Sequence, residues 1–111
     1  MDLKEYLGKN IKVKIDRPLG SKHPKWNFVY EVNYGYIPGT KAPDREEIDA
    51  YVLGVDRSLK EFEGRVIAII QRLDDDDDKL VVAADGAEFS DGEIGSQVAF
   101  QEKYFKSKII R

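Results

Sequence analysis

Two groups of carboxylates in this chain have the types and spacing to do chemistry. One is Asp44-Arg45-Glu46-Glu47-Ile48-Asp49, a D-x-E-x-x-D pattern; the other is the run Asp74 to Asp78, which ends in Lys79. Carboxylate oxygens spaced this way can gather hard divalent cations, and lysines and tyrosines nearby can hold a phosphate that such cations bridge. Just ahead of the first group stands an aromatic, glycine-containing stretch, Tyr30-Glu31-Val32-Asn33-Tyr34-Gly35-Tyr36-Ile37-Pro38-Gly39-Thr40. The combination points to metal-dependent phosphoryl chemistry.

Each feature also has a plainer reading. Asp49 opens an otherwise apolar stretch, where a carboxylate loses hydration and titrates higher unless a cation or donors compensate. The plainer alternative is a strand-end aspartate that reaches solvent or pairs with a lysine. Asp44 and Glu46 alone would decorate a loop, and short acid motifs have a high false-positive rate. Two like charges roughly 6 Å apart repel by only about 0.7 kcal/mol in water, so Asp74 to Asp78 could simply be a solvated hairpin tip. Its place between two apolar runs favours function. So does its exit through Lys79, which lies two residues after Asp77 and on the same side of an extended chain. His23, between Lys22 and Pro24, has no partner at ligand spacing and reads as surface, and no His/Asp arrangement supports Ser21 as a nucleophile.

The elements that must position these residues are mostly strands. Ile11, Val13 and Ile15 alternate with charged residues, which predicts a half-buried strand. Arg17 to Pro24 reads as a loop. Trp26 to Tyr36 is aromatic and β-branched, hence strand-like, and Pro38-Gly39 ends it. Ile48 to Val55 is apolar on both alternating faces apart from Asp49, which suits a strand buried on both sides. Gly64 to Leu73 and Leu80 to Ala83 predict a hairpin with the aspartates at its tip. Asp2 to Leu7 reads as a short helix closed by Gly8. Ser90 with Glu93 fits a capping box, and Ile94, Val98, Phe100, Tyr104 and Phe105 continue with mostly helical spacing. Five or six strands and one terminal helix predict a mainly β (α+β) fold, a small five-stranded closed barrel of the oligonucleotide/oligosaccharide-binding type with a C-terminal α-helix.

Composition bounds the rest. A chain of 111 residues predicts one domain, residues 1–111, with a modest core. There is no cysteine, so neither disulfides nor thiolate zinc sites arise. A net charge of −3 argues against nucleic acid as partner. No apolar run approaches membrane length and the chain opens without an apolar leader, which predicts a cytoplasmic protein with no membrane partner.

The same residues carry a family resemblance. From about Ile11 to Lys79 the chain resembles the soluble, metal-dependent inorganic pyrophosphatases of the family I type, and more closely a short bacterial branch. The likeness rests on N-Y-G-Y-I-P (Asn33 to Pro38) followed by D-x-E-x-x-D at the head of an apolar strand. It implies a hydrolase that converts inorganic pyrophosphate to two orthophosphates with Mg²⁺, in two or more ions, or with Mn²⁺. It also implies roles at matched positions. Asp44, Asp49, Asp74 and Asp77 fall on metal-binding acids, with the aspartate run leaving the register open by one or two. Glu46 takes the acid that helps activate the attacking water, and Tyr34 a tyrosine near it. Lys25 (or Lys22, a poorer match), Lys79 and Tyr104 fall on phosphate-binding positions, and Asp16 on an acid of the first strand. Relatives commonly assemble, so a homo-oligomer is an open alternative.

The chain also departs from the family's pattern. Glu46 stands where aspartate is usual, Glu31 where proline is common and Arg45 where glycine is common. Phe105 separates Tyr104 from Lys106. Between Pro18 and Tyr30 the chain is short, Asn27 replaces a metal-binding glutamate, and no arginine remains. Fewer cations there weaken neutralisation of the leaving phosphate. Two rival expectations follow: a hydrolase of another phosphoanhydride or phosphate ester, or a pyrophosphatase-like domain that binds phosphate or metal without turnover.

Overall fold

The computed structural model describes residues 3–42 and 45–111. Asp2 and Asp44 therefore lie outside the described residues. A 3-10 turn at Leu3–Tyr6 stands where a helix over Asp2 to Leu7 was expected. Strands β1 (Asn10–Arg17), β2 (Asn33–Ile37), β3 (Ile48–Val52), β4 (Glu61–Arg72) and β5 (Lys79–Ala83) follow, then helix α1 (Asp91–Glu102) and a last strand β6 (Ser107–Ile110). The sheet order is β1-β2-β3-β5-β4, and β1 also pairs with β4, so five strands close into a barrel. The β3–β5 pair is parallel and the others antiparallel, and β6 extends the sheet beside the second half of β4. The expected mainly β barrel with one helix near the C-terminus is what the chain forms.

Period-2 alternation sorts the strands into two cores. Val13, Ile15, Ile48, Ala50, Val52, Leu80 and Val82 fill the barrel interior. Tyr34, Tyr51, Leu53, Val81, Ile94 and Val98 form a second core between the outer wall and α1. β3 reads as apolar on both faces because both of its faces are covered. β4 breaks strict alternation because a bulge between Val66 and Ala68 resets it, so Val66 and Ile69 both face the interior while Ala68 and Ile70 face the helix.

Three sequence expectations change. Trp26 to Val32 is not strand: it forms bends, and Lys22 and Val29 share an isolated bridge. α1 stops at Glu102, so Tyr104 and Phe105 lie in the turn beyond it. β6, unanticipated, pairs Ile109 with Ile70 and Lys108 with Gln71. At the start of α1 the capping box is present, with the Glu93 amide donating to Ser90 Oγ at 3.1 Å and the Ser90 amide to Glu93 Oε1 at 2.9 Å. No described helix is long and apolar enough to cross a membrane.

Candidate functional site

The parallel register of β3 and β5 sets Asp49 beside Lys79. Both project from the outer wall, since their neighbours Ile48, Ala50 and Leu80 face the barrel interior. The acids thus meet on the outside of the barrel where β3 and β5 begin, and not in its apolar lumen. Lys79 is buried, and its Nζ lies 3.1 Å from Asp49 Oδ2 and 2.8 Å from Asp77 Oδ1. Burial pushes the Asp49 carboxyl above the usual aspartate range, and the Lys79 ammonium works against that shift. The lysine pairing that the plainer reading of Asp49 foresaw is therefore real. It does not stand alone, because the pair sits in the wall of a cavity of about 690 Å³.

The loop after β4 divides its aspartates among separate tasks. Asp77 pairs with Lys79, Asp75 with Arg72 Nη1 at 3.2 Å, and Asp78 Oδ1 accepts from the Arg72 amide at 2.8 Å. Asp74 turns the other way and accepts from the Lys106 amide at 3.3 Å. Of the run, Asp77 is the acid that shares Lys79 with Asp49.

The motif around Tyr34 has a structural cause at each position. At Gly35, β2 lies against β1: a Cβ there would sit 1.9 Å from the Lys14 carbonyl oxygen, so only glycine fits. Opposite it, β1 carries a bulge between Ile15 and Arg17 that swings Asp16 and Arg17 to the cavity. Asn33 is fully buried, accepts from the amides of Leu19 (3.0 Å) and Leu59 (3.1 Å), and donates to the Arg57 carbonyl (2.9 Å). It ties two loops to the start of β2. Burial, followed by the nearby Asp49 charge, holds the Tyr34 hydroxyl well above the usual tyrosine range, so it stays protonated and serves as a donor.

Sequence reasoning missed the far wall. Arg72 Nε and Nη2 grip the two oxygens of Glu102 at 2.8 and 3.0 Å. Tyr51 donates to Glu102 at 2.6 Å, and Gln101 donates to Tyr51 at 2.7 Å. This buried, satisfied network clamps the end of α1 to the barrel. Burial opposes the Arg72 charge, but the Glu102 fork outweighs it and raises the guanidinium's pKa. His23 is not a mere surface residue. Its Nδ1 accepts from the amides of Lys25 and Trp26, each at 3.0 Å, and its ring lines the cavity. Burial, and after it the Arg17 and Lys25 charges, lowers its pKa. The contacts of Arg72, Tyr51 and Tyr30 with the end of α1 join residues 30 to 71 positions apart, so no local pattern announces them.

Of the expected site residues, Tyr34, Asp49, Asp77, Lys79 and Tyr104 line one cavity, together with Asp16, Arg17 and Arg72. Lys25, Glu46 and Asp74 do not line it, and Lys25 and Glu46 are exposed. Among the described residues no group of three or more histidines or acids is close enough to hold a metal ion. The donor chemistry, carboxylate oxygens, is of the kind a hard divalent ion takes. Asp49 Oδ2 and Asp77 Oδ1 both meet the Lys79 ammonium, which leaves their other oxygens for a cation, and Mg²⁺ commonly takes only one or two carboxylates plus waters and substrate phosphates. Charge balance agrees. Asp16, Asp49 and Asp77 face Arg17, Lys79 and an Arg72 already neutralised by Glu102, so an anion would need added cations to enter.

Solved structures share this fold. An inorganic pyrophosphatase from Ehrlichia chaffeensis matches with a TM-score of 0.70 at 19% identity, over 92% of this chain and 85% of its own. One from Helicobacter pylori matches at 0.68 and 18%, over 92% and 84%. One from Neisseria gonorrhoeae matches at 0.58 and 25%, over 83% and 67%. Comparison with curated proteins gives no match. A family model described as inorganic pyrophosphatase matches residues 5–105, almost the whole length, and on that match the chain belongs to the family I inorganic pyrophosphatases.

Proposed function

We propose that the protein hydrolyses inorganic pyrophosphate to two orthophosphates in the presence of Mg²⁺. The observation that carries this reading is the Asp49–Lys79–Asp77 arrangement, a carboxylate of β3 and one of the loop before β5 meeting at one buried lysine inside a cavity. Family membership supplies the reaction, and the related structures are named as pyrophosphatases.

Asp49 and Asp77 would hold the ions, joined by Asp44, and by Asp74 once it leaves the Lys106 amide it now accepts from. Bound Mg²⁺ would neutralise the phosphates and lower the pKa of a coordinated water toward neutrality. Lys79 and Tyr104 hold phosphoryl oxygens, and Lys25, exposed and outside the cavity lining, would join them only by swinging in from the loop beside Trp26. Arg17, which no carboxylate pairs with among the described residues, supplies the cation missing from the shortened segment. Tyr34, kept protonated by its burial, donates toward the attacking oxygen or toward Asp49. Glu46, exposed in the turn before β3 and outside the cavity lining, would take the water's proton only with that turn folded inward. Fixed in this way, the reactants lie in line and the developing charge meets preorganised partners.

Phosphate release from pyrophosphate, with Mg²⁺ and with chelator, tests the reading. Wild-type protein should turn over only with metal, and Asp49→Ala should lower the rate about a hundredfold while leaving the barrel's circular dichroism intact. Equal rates in both proteins would end it.

A further inference from the structure

The cavity has two chemically different halves. Its ionic side is Asp16, Arg17, Asp49, Asp77 and Lys79; its other side is a continuous aromatic wall. His23 lies 5.0 Å from Phe28 and 6.4 Å from Trp26, ring centre to ring centre, and Phe28 stacks on Tyr104 at 6.0 Å. Two of these rings are left open to solvent at the rim, Trp26 64% exposed and Tyr104 60%. Of the five exposed large hydrophobic side chains among the described residues, three (Trp26, Tyr104 and Phe105) border this one cavity. Exposed apolar side chains scattered singly need no explanation, but a group around a concave site marks a ligand surface. The wall is also built: the two amides that His23 Nδ1 accepts fix the turn that presents Trp26. A volume of about 690 Å³ falls in the range of sites that enclose ligands with an organic body, far beyond two phosphoryl groups.

We propose that the site takes phosphoanhydrides that carry a planar aromatic ring, of which a nucleoside 5′-diphosphate is the simplest, with the ring against Trp26 and the phosphates at Lys79 and Arg17. Aromatic side chains stack bases regardless of sequence, and the adjoining cations hold the charged end. This rests on the phosphate-binding reading of Lys79 and extends its substrate class. The chemistry is the same hydrolysis. Water oxygen bonds to the terminal phosphorus and the bond from that phosphorus to the bridging oxygen breaks. One proton of the water stays on the orthophosphate and the other passes to solvent, leaving a nucleoside monophosphate.

Trp26 is the chain's one tryptophan, so its emission reports on the wall directly. With Mg²⁺ present, the non-hydrolysable α,β-methylene analogue of ADP should quench that emission, and methylenediphosphonate, its ringless counterpart, should not. By calorimetry, Trp26→Ala should lose about tenfold more affinity for the ADP analogue than for methylenediphosphonate, and Trp26→Phe should recover most of it. Binding of methylenediphosphonate without binding of the ADP analogue would overturn the inference and leave the pyrophosphate reading standing. Binding of neither would overturn both, and an ADP affinity indifferent to Trp26→Ala would overturn the placement of the ring.

Discussion

Lys79 and Leu80 are neighbours on one strand, both almost fully buried, and they belong to different problems. Leu80 faces the barrel lumen among aliphatic side chains, where the only demand is close packing. Lys79 faces the outer wall, where a charge is tolerated because two carboxylates meet it. The same division runs along β3, with Ile48, Ala50 and Val52 inward and Asp49 and Tyr51 outward. A sheet covered on both sides has room for a core on one face and a site on the other, and a one-residue shift in register would exchange them.

The largest expected effect breaks both faces at once. Gly35→Ala would drive a methyl into the Lys14 carbonyl and part β1 from β2. A loss of more than about 4 kcal/mol is expected, a large share of a small domain's stability. Thermal melting followed by circular dichroism checks it, and a melting point near wild type would refute the close approach.

The neighbouring pair then separates the two faces. Leu80→Ala opens a cavity in the lumen and should cost about 2–5 kcal/mol in urea unfolding, with turnover per folded molecule kept. Lys79→Met leaves two carboxylates facing each other. Their side chains are 31% and 40% exposed, so water takes up much of the lost pairing. Its stability cost should therefore fall below that of Leu80→Ala, while its rate on pyrophosphate drops about a hundredfold. If Leu80→Ala slowed turnover as much as Lys79→Met, the division between faces would fail.

The smallest effect is a gain. Arg45 adopts φ 71°, a left-handed conformation that costs a residue with a Cβ about 1 kcal/mol. Arg45→Gly should raise stability by up to that amount without altering the two cores, as read from the urea midpoint.

Sequence periodicity made most of the barrel legible. β1, β3 and the β4–β5 hairpin follow alternation or a two-sided apolar run, and the Ser90–Glu93 box is local. β6 escaped because four residues at an edge, Ser107 to Ile110, carry too little pattern. Trp26 to Val32 misled because its aromatic residues pack on His23, Tyr34 and Phe100 without pairing as a strand. In the site, Asp49, Asp77 and Lys79 were legible because parity and spacing place them. Arg17, Arg72 and Glu102 were not, since a bulge and a contact 30 residues long bring them in. Arg45 shows the converse: a departure visible in the sequence acquires its physical meaning only from its backbone angle.

The account rests on Asp49 and Asp77 acting as one unit, and a double-mutant cycle on pyrophosphate hydrolysis tests that most directly. Asp49→Asn and Asp77→Asn should each lower kcat/KM about a hundredfold, and the double variant should fall only a few-fold below the poorer single one, because groups that act together lose their effect once. Losses that multiply, or single variants as active as wild type, would contradict it.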